Sequence, residues 1–269
     1  MKVSGAVAVV TGAGGGIGAA LGRRLVENGA RVVVADLHAD KVESTAHELC
    51  DLVPGSAVGL AVDVSETDGI RALVDLAERR FGPVDVYAAN AGIGGGIGLE
   101  TDDDSWQRII DVNVLAHVRA ARLLVPTWLE RGRGQFVTTA SAAGLLTQIG
   151  SPSYSVTKHA AVAFAEWLAI TYGDQGILVS CLCPMGVNTD MLTGGADLDD
   201  PVARRAVQAV TDAGGVLEPL EVADAVMAAI ESETFLVLPH PEVLTFWRRK
   251  SADYDRWLSS MRRYQASLS

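Results

Sequence analysis

Short apolar runs alternate with longer stretches patterned at helical spacing, and this alternation restricts the fold more than any other feature of the chain. The apolar runs occupy residues 6–10, 31–35, 57–62, 84–89, 135–140, 178–183 and 235–238. Helical patterns fill residues 17–28, 41–49, 66–81, 104–130, 154–172, 201–213 and 219–230. Strands that are apolar on both faces belong to a parallel sheet covered by helices on each side. Right-handed crossovers wind such a sheet doubly. Ligands of such sheets bind at the C-terminal ends of the strands, so the residues just after each apolar run carry the functional argument.

The first run ends in Thr11-Gly12-Ala13-Gly14-Gly15-Gly16-Ile17-Gly18 and opens directly into a helix. Glycines permit a tight turn and let backbone N–H groups approach a pyrophosphate, and the helix N-terminus adds a favourable dipole. No Gly-Lys-Ser/Thr follows, which disfavours a nucleoside-triphosphate loop. The second run ends at Asp36, 18 residues after Gly18. An acid there accepts hydrogen bonds from the ribose hydroxyls and repels a 2′-phosphate. Leu37 and the turn residues offer no base in compensation, so NAD is favoured over NADP. The predicted fold is a single-domain, Rossmann-like α/β structure: a doubly wound parallel sheet of about seven strands with helices on both faces.

Tyr154 and Lys158 stand four residues apart on one predicted helix face. An ammonium near a phenol stabilises phenolate and makes it a usable proton acceptor. Ser141 ends the strand before that helix, where its hydroxyl can meet the tyrosine. With these residues the chain resembles the short-chain dehydrogenase/reductase family over residues 5–240. The resemblance rests on Thr11-Gly12-x-x-x-Gly16-x-Gly18, Asp63-Val64, Asn90-Ala91-Gly92, Asn113, Ser141, Tyr154-x-x-x-Lys158 and Pro184-x-Gly186-x-x-Thr189. It implies a Ser–Tyr–Lys centre in which Asn113, at a helix kink, binds a proton-relay water. It implies that Asp63 and Val64 hold the adenine, and that Asn90, with Ala91 and Gly92, supports the backbone beside the cofactor. Val187 and Thr189 would contact the nicotinamide carboxamide. Lys158 would also bind the nicotinamide ribose, with hydride leaving the B face. Departures are mild: Ala89 and Ala140 stand where the family often has Asn and Ser, and Tyr87 takes a usually aliphatic position.

The expected activity is therefore an NAD(H)-dependent interconversion of a secondary alcohol and a ketone. Three segments should line the substrate pocket: residues 93–99, residues 142–152, and the loop after Thr189 with Met185, Met191 and Leu192. The first two contain no charged side chain, which favours a fairly apolar substrate such as a steroid, terpenoid or aromatic compound. A polyol or sugar-like alcohol is the alternative. A nucleotide-binding regulatory protein without turnover, or an epimerase or dehydratase of the same superfamily, are rivals that the intact Asn113, Ser141, Tyr154 and Lys158 argue against.

Net charge is −11, which argues against a nucleic-acid partner. Residues 241–269 carry six basic and three acidic side chains, a net +3, which leaves −14 on residues 1–240. Three cysteines without a CxxC fit a reducing, cytoplasmic setting. The five histidines lack metal spacing, so no metal site is expected. No transmembrane span or cleavable leader is read, and the apolar N-terminus is taken as the first strand. The chain divides into a catalytic domain, 1–240, and a basic helical extension, 241–269. In the latter, residues 252–265 place Tyr254, Trp257, Leu258, Met261 and Tyr264 in one helical stripe. Such a stripe should bury itself against its own domain or across a homodimer or homotetramer interface, where it could cap a neighbouring active site.

Overall fold

A computed structural model describes residues 1–193 and 201–268. Seven strands form one sheet: β1 (Val7–Thr11), β2 (Arg31–Asp36), β3 (Ala57–Ala61), β4 (Val86–Ala89), β5 (Gly134–Thr139), β6 (Ile177–Leu182) and β7 (Leu236–Val237). Their order is β3-β2-β1-β4-β5-β6-β7, and every pairing is parallel. The chain reverses its winding between β1 and β4, so the ligand crevice of a doubly wound sheet opens above that pair.

Alternate residues of each strand feed two cores, as the pleat requires. Val7, Val9, Val33 and Phe136 pack under α3 (Thr67–Arg80), α5 (Ala116–Arg131) and α7 (Pro152–Tyr172). Ala8, Val10, Val32, Val34 and Val137 pack under α1 (Gly16–Glu27), α2 (Ala39–Leu52) and α10 (Pro219–Ser232). Trp128 is fully buried yet keeps its indole N–H satisfied, donating to the Val84 carbonyl at 2.8 Å. Burying an aromatic of this size contributes roughly 2–3 kcal/mol.

Two expectations need correction. Residues 104–130 are not one regular helix. The segment runs as α4 (Asp103–Ile110), a wide π-type turn over Asp111–Leu115, and α5. The physical cause lies at Asn113, whose side chain bonds the backbone of Ile93 instead of facing solvent. A π-type turn of this kind re-aims a side chain without ending the helix.

In the extension the stripe from Tyr254 to Tyr264 does lie along one helix, but that helix does not bury it. α11 (Glu242–Ala252) and α12 (Tyr254–Ser267) meet at Asp253, whose carboxylate caps α12 by accepting from the Arg256 N–H at 2.9 Å. α11 buries Val243 in the core and Lys250 against the protein's own α6 (Ala143–Leu146). α12 buries none of its residues, and Tyr254 and Leu258 are exposed. Between these regions, α8 (Asp190–Thr193) and α9 (Pro201–Ala213) flank the loop after Thr189, part of which lies outside the described residues.

Candidate active site

The glycine turn joins β1 to α1 at the switch point. Gly12 and Gly16 take the left-handed region at φ 62° and 52°. A β-carbon on Gly18 would meet the Gly12 carbonyl oxygen at 2.1 Å, so only glycine lets α1 sit this close to the turn. No acidic side chain stands in the first turn of α1, and Gly15 supplies no side-chain cap. The first-turn N–H groups therefore remain suited to an anion. Ile17 follows in that same turn.

Asp36 lies beside the turn and accepts from the Gly14 N–H at 3.0 Å and the His38 N–H at 3.2 Å. Leu37 is exposed next to it. One expectation changes here: a base does stand near this edge. A β-carbon on Gly14 would lie 2.9 Å from the Lys41 stem. The Lys41 ammonium, however, pairs with Asp190 at 3.4 Å rather than with Asp36.

At the ends of β3 and β4 the sequence-derived residues hold backbone in place. Asp63 accepts from the Ser65 N–H at 2.8 Å. Burial pushes its carboxyl pKa up, but the Ser65 hydrogen bonds and nearby Arg108 prevail and leave it below the ordinary value. Val64 is buried beside it. Asn90 joins three strand tips: its amide donates to the carbonyls of Thr11 at 3.0 Å and Gly12 at 3.2 Å, and its oxygen accepts from the Thr139 hydroxyl at 3.0 Å. The N–H groups of Asn90 and Ala91 both donate to the Thr11 hydroxyl at 3.0 Å. Gly92 lies where a β-carbon would stand 3.3 Å from both the Asn113 amide oxygen and the Lys158 ammonium.

Ser141, Tyr154 and Lys158 converge above β5. The Ser141 hydroxyl bonds the Tyr154 phenol, and its oxygen also accepts from the Ala143 N–H at 3.1 Å. Lys158 is almost fully buried, donates to the Thr139 carbonyl at 3.0 Å, and lies 5.5 Å from the centre of the Tyr154 ring. Burial lowers its pKa to about 8. From the sequence this ammonium is expected to hold the phenol pKa down. In the protein alone burial prevails over the Ser141 hydrogen bond, and the phenol lies above its ordinary 10. Asn113 is buried with its amide donating to the Ile93 carbonyl at 3.0 Å and the Thr157 hydroxyl at 3.3 Å.

The two uncharged pocket segments are stitched together. The Gly98 N–H donates to the Gly150 carbonyl at 3.0 Å, and the Ser151 hydroxyl to the Gly96 carbonyl at 3.2 Å. Leu145 is buried, whereas Leu99 and Met191 stand exposed at the rim. Val187 is buried, bridges to Leu217, and accepts from the Thr189 hydroxyl at 3.3 Å. A residue absent from the sequence argument supports this loop. Buried His240 accepts from the Met185 N–H at 3.1 Å, and its other nitrogen bonds the carbonyls of Gly186 at 3.1 Å and Gly215 at 3.0 Å. Its one sequence signal is its place between Pro239 and Pro241, just after the last strand. Among the described residues no group of three His, Cys, Asp or Glu could hold a metal, and no helix is long and apolar enough to cross a membrane.

Fold and site together define a doubly wound α/β protein with a dinucleotide turn and a Ser–Tyr–Lys centre. A family model described as short chain dehydrogenase matches residues 6–197. The chain belongs to the short-chain dehydrogenase/reductase family. It is 35% identical to a 1-deoxy-11-beta-hydroxypentalenate dehydrogenase of Streptomyces avermitilis over 91% of this chain and 88% of that one. It is 33% identical to 3beta-hydroxysteroid dehydrogenase 2 of Eggerthella lenta over 79% of this chain and 82% of that one. A crystal structure of a family member from Burkholderia phymatum in complex with NAD is similar with a TM-score of 0.86, at 30% identity, covering 95% of this chain and 96% of that one.

Proposed function

We propose that the protein is an NAD(H)-dependent oxidoreductase that interconverts a secondary alcohol and a ketone on a fairly apolar small molecule. The observation that carries this reading is the convergence of Ser141, Tyr154 and Lys158 beside Asn113, next to a glycine turn flanked by Asp36. The glycine cradle fits a dinucleotide because its close backbone approaches leave no room for side chains, and Asp36 fits ribose hydroxyls in place of a 2′-phosphate. NAD, when bound, supplies the hydride acceptor and a positive charge over the centre. Gly12, Gly16, Ile17, Gly18, Asp36, Leu37, Asp63, Val64, Asn90, Ala91, Gly92, Tyr154, Lys158, Val187 and Thr189 would hold it.

In oxidation Tyr154 accepts the alcohol proton. Ser141 donates to the same oxygen and steadies its developing charge. Lys158 keeps a cation beside the phenol, and Asn113 positions a relay water; reduction is the reverse. The uncharged pocket segments support an apolar substrate, as do relatives named for a hydroxypentalenate and a hydroxysteroid. The free cysteines support a reducing, cytoplasmic setting. We further propose a catalytic domain of residues 1–240, an extension of residues 241–269, and a homodimer or homotetramer, the last supported by the exposed apolar side chains of α12.

Secondary alcohols screened with NAD and NADP, read by absorbance of the reduced nicotinamide, test the reading. Tyr154→Phe should lower turnover by about 10²–10⁴-fold while leaving NAD affinity intact. Surviving turnover, or a strong preference for NADP, would overturn the corresponding part.

A further inference from the structure

Residues 240–268 are tied to the rest of the chain at three places. At the root, His240 bonds the backbone of Met185, Gly186 and Gly215. In α11 the buried Lys250 ammonium donates to the Leu145 carbonyl of α6 at 2.6 Å. In α12 the Tyr264 hydroxyl donates to the Ala209 carbonyl of α9 at 3.2 Å, and Leu268, just beyond the helix, is buried.

These ties fall on two different sides of the substrate site. α6 begins two residues after Ser141 and belongs to the uncharged segment 142–152. α9 follows the loop after Thr189 and packs on the backbone beyond Pro184, where a β-carbon on Gly186 would meet a Val210 methyl at 3.4 Å. The 14 residues of α12 reach about 21 Å along the helix axis, enough to lead from one side to the other. Between the ties, Trp257, Met261 and Tyr264 recur at i, i+4 and i+7 and share one face. All three are half-buried, whereas Leu258, about a quarter turn away, is exposed.

We propose that the extension forms the outer wall of its own chain's substrate pocket, with Trp257 and Met261 as the apolar surface that meets the end of the substrate farthest from the reacting carbon. Lys250 and Tyr264 are positioning residues: they hold the wall and do not touch the substrate. The proposal rests on the oxidoreductase reading and adds to it that the substrate is bulky. A small secondary alcohol finds all its partners at Ser141 and Tyr154 and does not reach α12. An alcohol with a long apolar body removes further surface from water against Trp257, and its binding strengthens with that area. The outer face of α12, with Leu258, stays open to another copy.

Assays of the full-length protein with NAD and two alcohols, 2-butanol and a hydroxysteroid, test the inference. The wild type should favour the steroid in kcat/KM. Trp257→Ala and Tyr264→Phe should each lower kcat/KM for the steroid by about tenfold, through KM, and leave that for 2-butanol unchanged. Lys250→Arg, which keeps the donor, should retain a preference that Lys250→Met loses. Equal losses on both alcohols, no loss on either, or a wild type that favours 2-butanol overturns the proposal. Mixing Trp257→Ala chains with Tyr154→Phe chains settles whose wall it is. The only working sites then lack their own Trp257, so the preference should stay lost; its recovery would place the wall on a neighbouring copy and overturn the proposal. A wild type that oxidises neither alcohol counts against the oxidoreductase reading. Amide hydrogen exchange then decides this one: the steroid should slow exchange in α12 of the wild type and not of Trp257→Ala, and no slowing in the wild type overturns it.

Discussion

The chain buries a lysine beside a tyrosine twice, once in the active site and once in the C-terminal extension. Lys158 donates to the Thr139 carbonyl and lies 5.5 Å from the ring of Tyr154, four residues before it. Lys250 donates to the Leu145 carbonyl at 2.6 Å and lies 5.4 Å from the ring of Tyr254, four residues after it. The spacing is the same, but Tyr154 and Lys158 share α7, whereas Lys250 lies at the end of α11 and Tyr254 begins α12, and their settings differ further. Tyr154 is partly buried and its phenol bonds Ser141, whereas Tyr254 is 57 % exposed. The first pair therefore tunes a proton acceptor. The second fastens α11 to α6, the short helix that follows Ser141. A lysine–tyrosine pair at helical spacing becomes chemistry only where a third group and a desolvated pocket meet it.

The largest effect should come from Lys158→Met, which keeps the bulk and removes the charge. Turnover should fall by about 10²–10⁴-fold, as expected when proton transfer loses its partner. The same variant should be more stable than the parent at pH 7. The folded pKa of Lys158 is about 8 against an ordinary 10.5, so burying the cation opposes folding below pH 8. Between pH 8 and 10.5 the unfolded chain binds more protons than the folded one, and wild-type stability recovers. The variant's advantage should be on the order of 2 kcal/mol at pH 7, after allowing for the lost hydrogen bond, and should shrink as pH rises through that window. Denaturant unfolding at pH 7 and pH 10 measures it. An advantage that grows with pH would show that the lysine is not held against its own charge.

Much of this contrast was legible in the sequence, and the reasons differ by residue. The sheet was readable because both of its faces are covered, so each strand is a continuous apolar run. Gly12, Gly16 and Gly18 were readable because a close backbone approach excludes every other residue type. Tyr154, Lys158 and Ser141 carried fixed spacing. The π-type turn at Asn113 was not readable from periodicity, and only the family resemblance implied a kink there, because the turn is made by bonds to Ile93 and Thr157, 20 and 44 residues away. Neither was the role of Lys250, whose only signal was a basic residue among several in a tail whose net charge is positive. Its partner, the Leu145 carbonyl, is 105 residues distant. The same holds for His240, whose partners are backbone groups of Met185, Gly186 and Gly215.

Lys250→Met sharpens the comparison at intermediate size. It leaves Ser141, Tyr154 and Lys158 untouched but removes the donor to the Leu145 carbonyl. The melting temperature should drop by the equivalent of about 1–3 kcal/mol, the range for a buried charge-assisted hydrogen bond. With α6 less firmly held, KM for the alcohol should rise while kcat changes little. A fall in kcat as large as that of Lys158→Met would mean the extension belongs to the chemistry and not only to the wall of the pocket.

The smallest effect on the fold should come from Leu258→Ser. α12 presents Tyr254 and Leu258 to solvent and buries none of its residues, and the Tyr264 hydroxyl ties it to the body by donating to the Ala209 carbonyl at 3.2 Å. Replacing an exposed leucine changes the stability of an isolated chain by only about 0.5 kcal/mol. A leucine that fills a contact between copies is different, because its removal acts on association and not on the folding of each copy. The basic extension and the acidic body carry opposite net charge, which favours a contact of α12 with another copy. Sedimentation of Leu258→Ser should therefore show a smaller assembly than the parent, with an unchanged melting temperature at high dilution. An unchanged assembly would place α12 at the surface in solution, and the contrast between the two lysines would then end at α11.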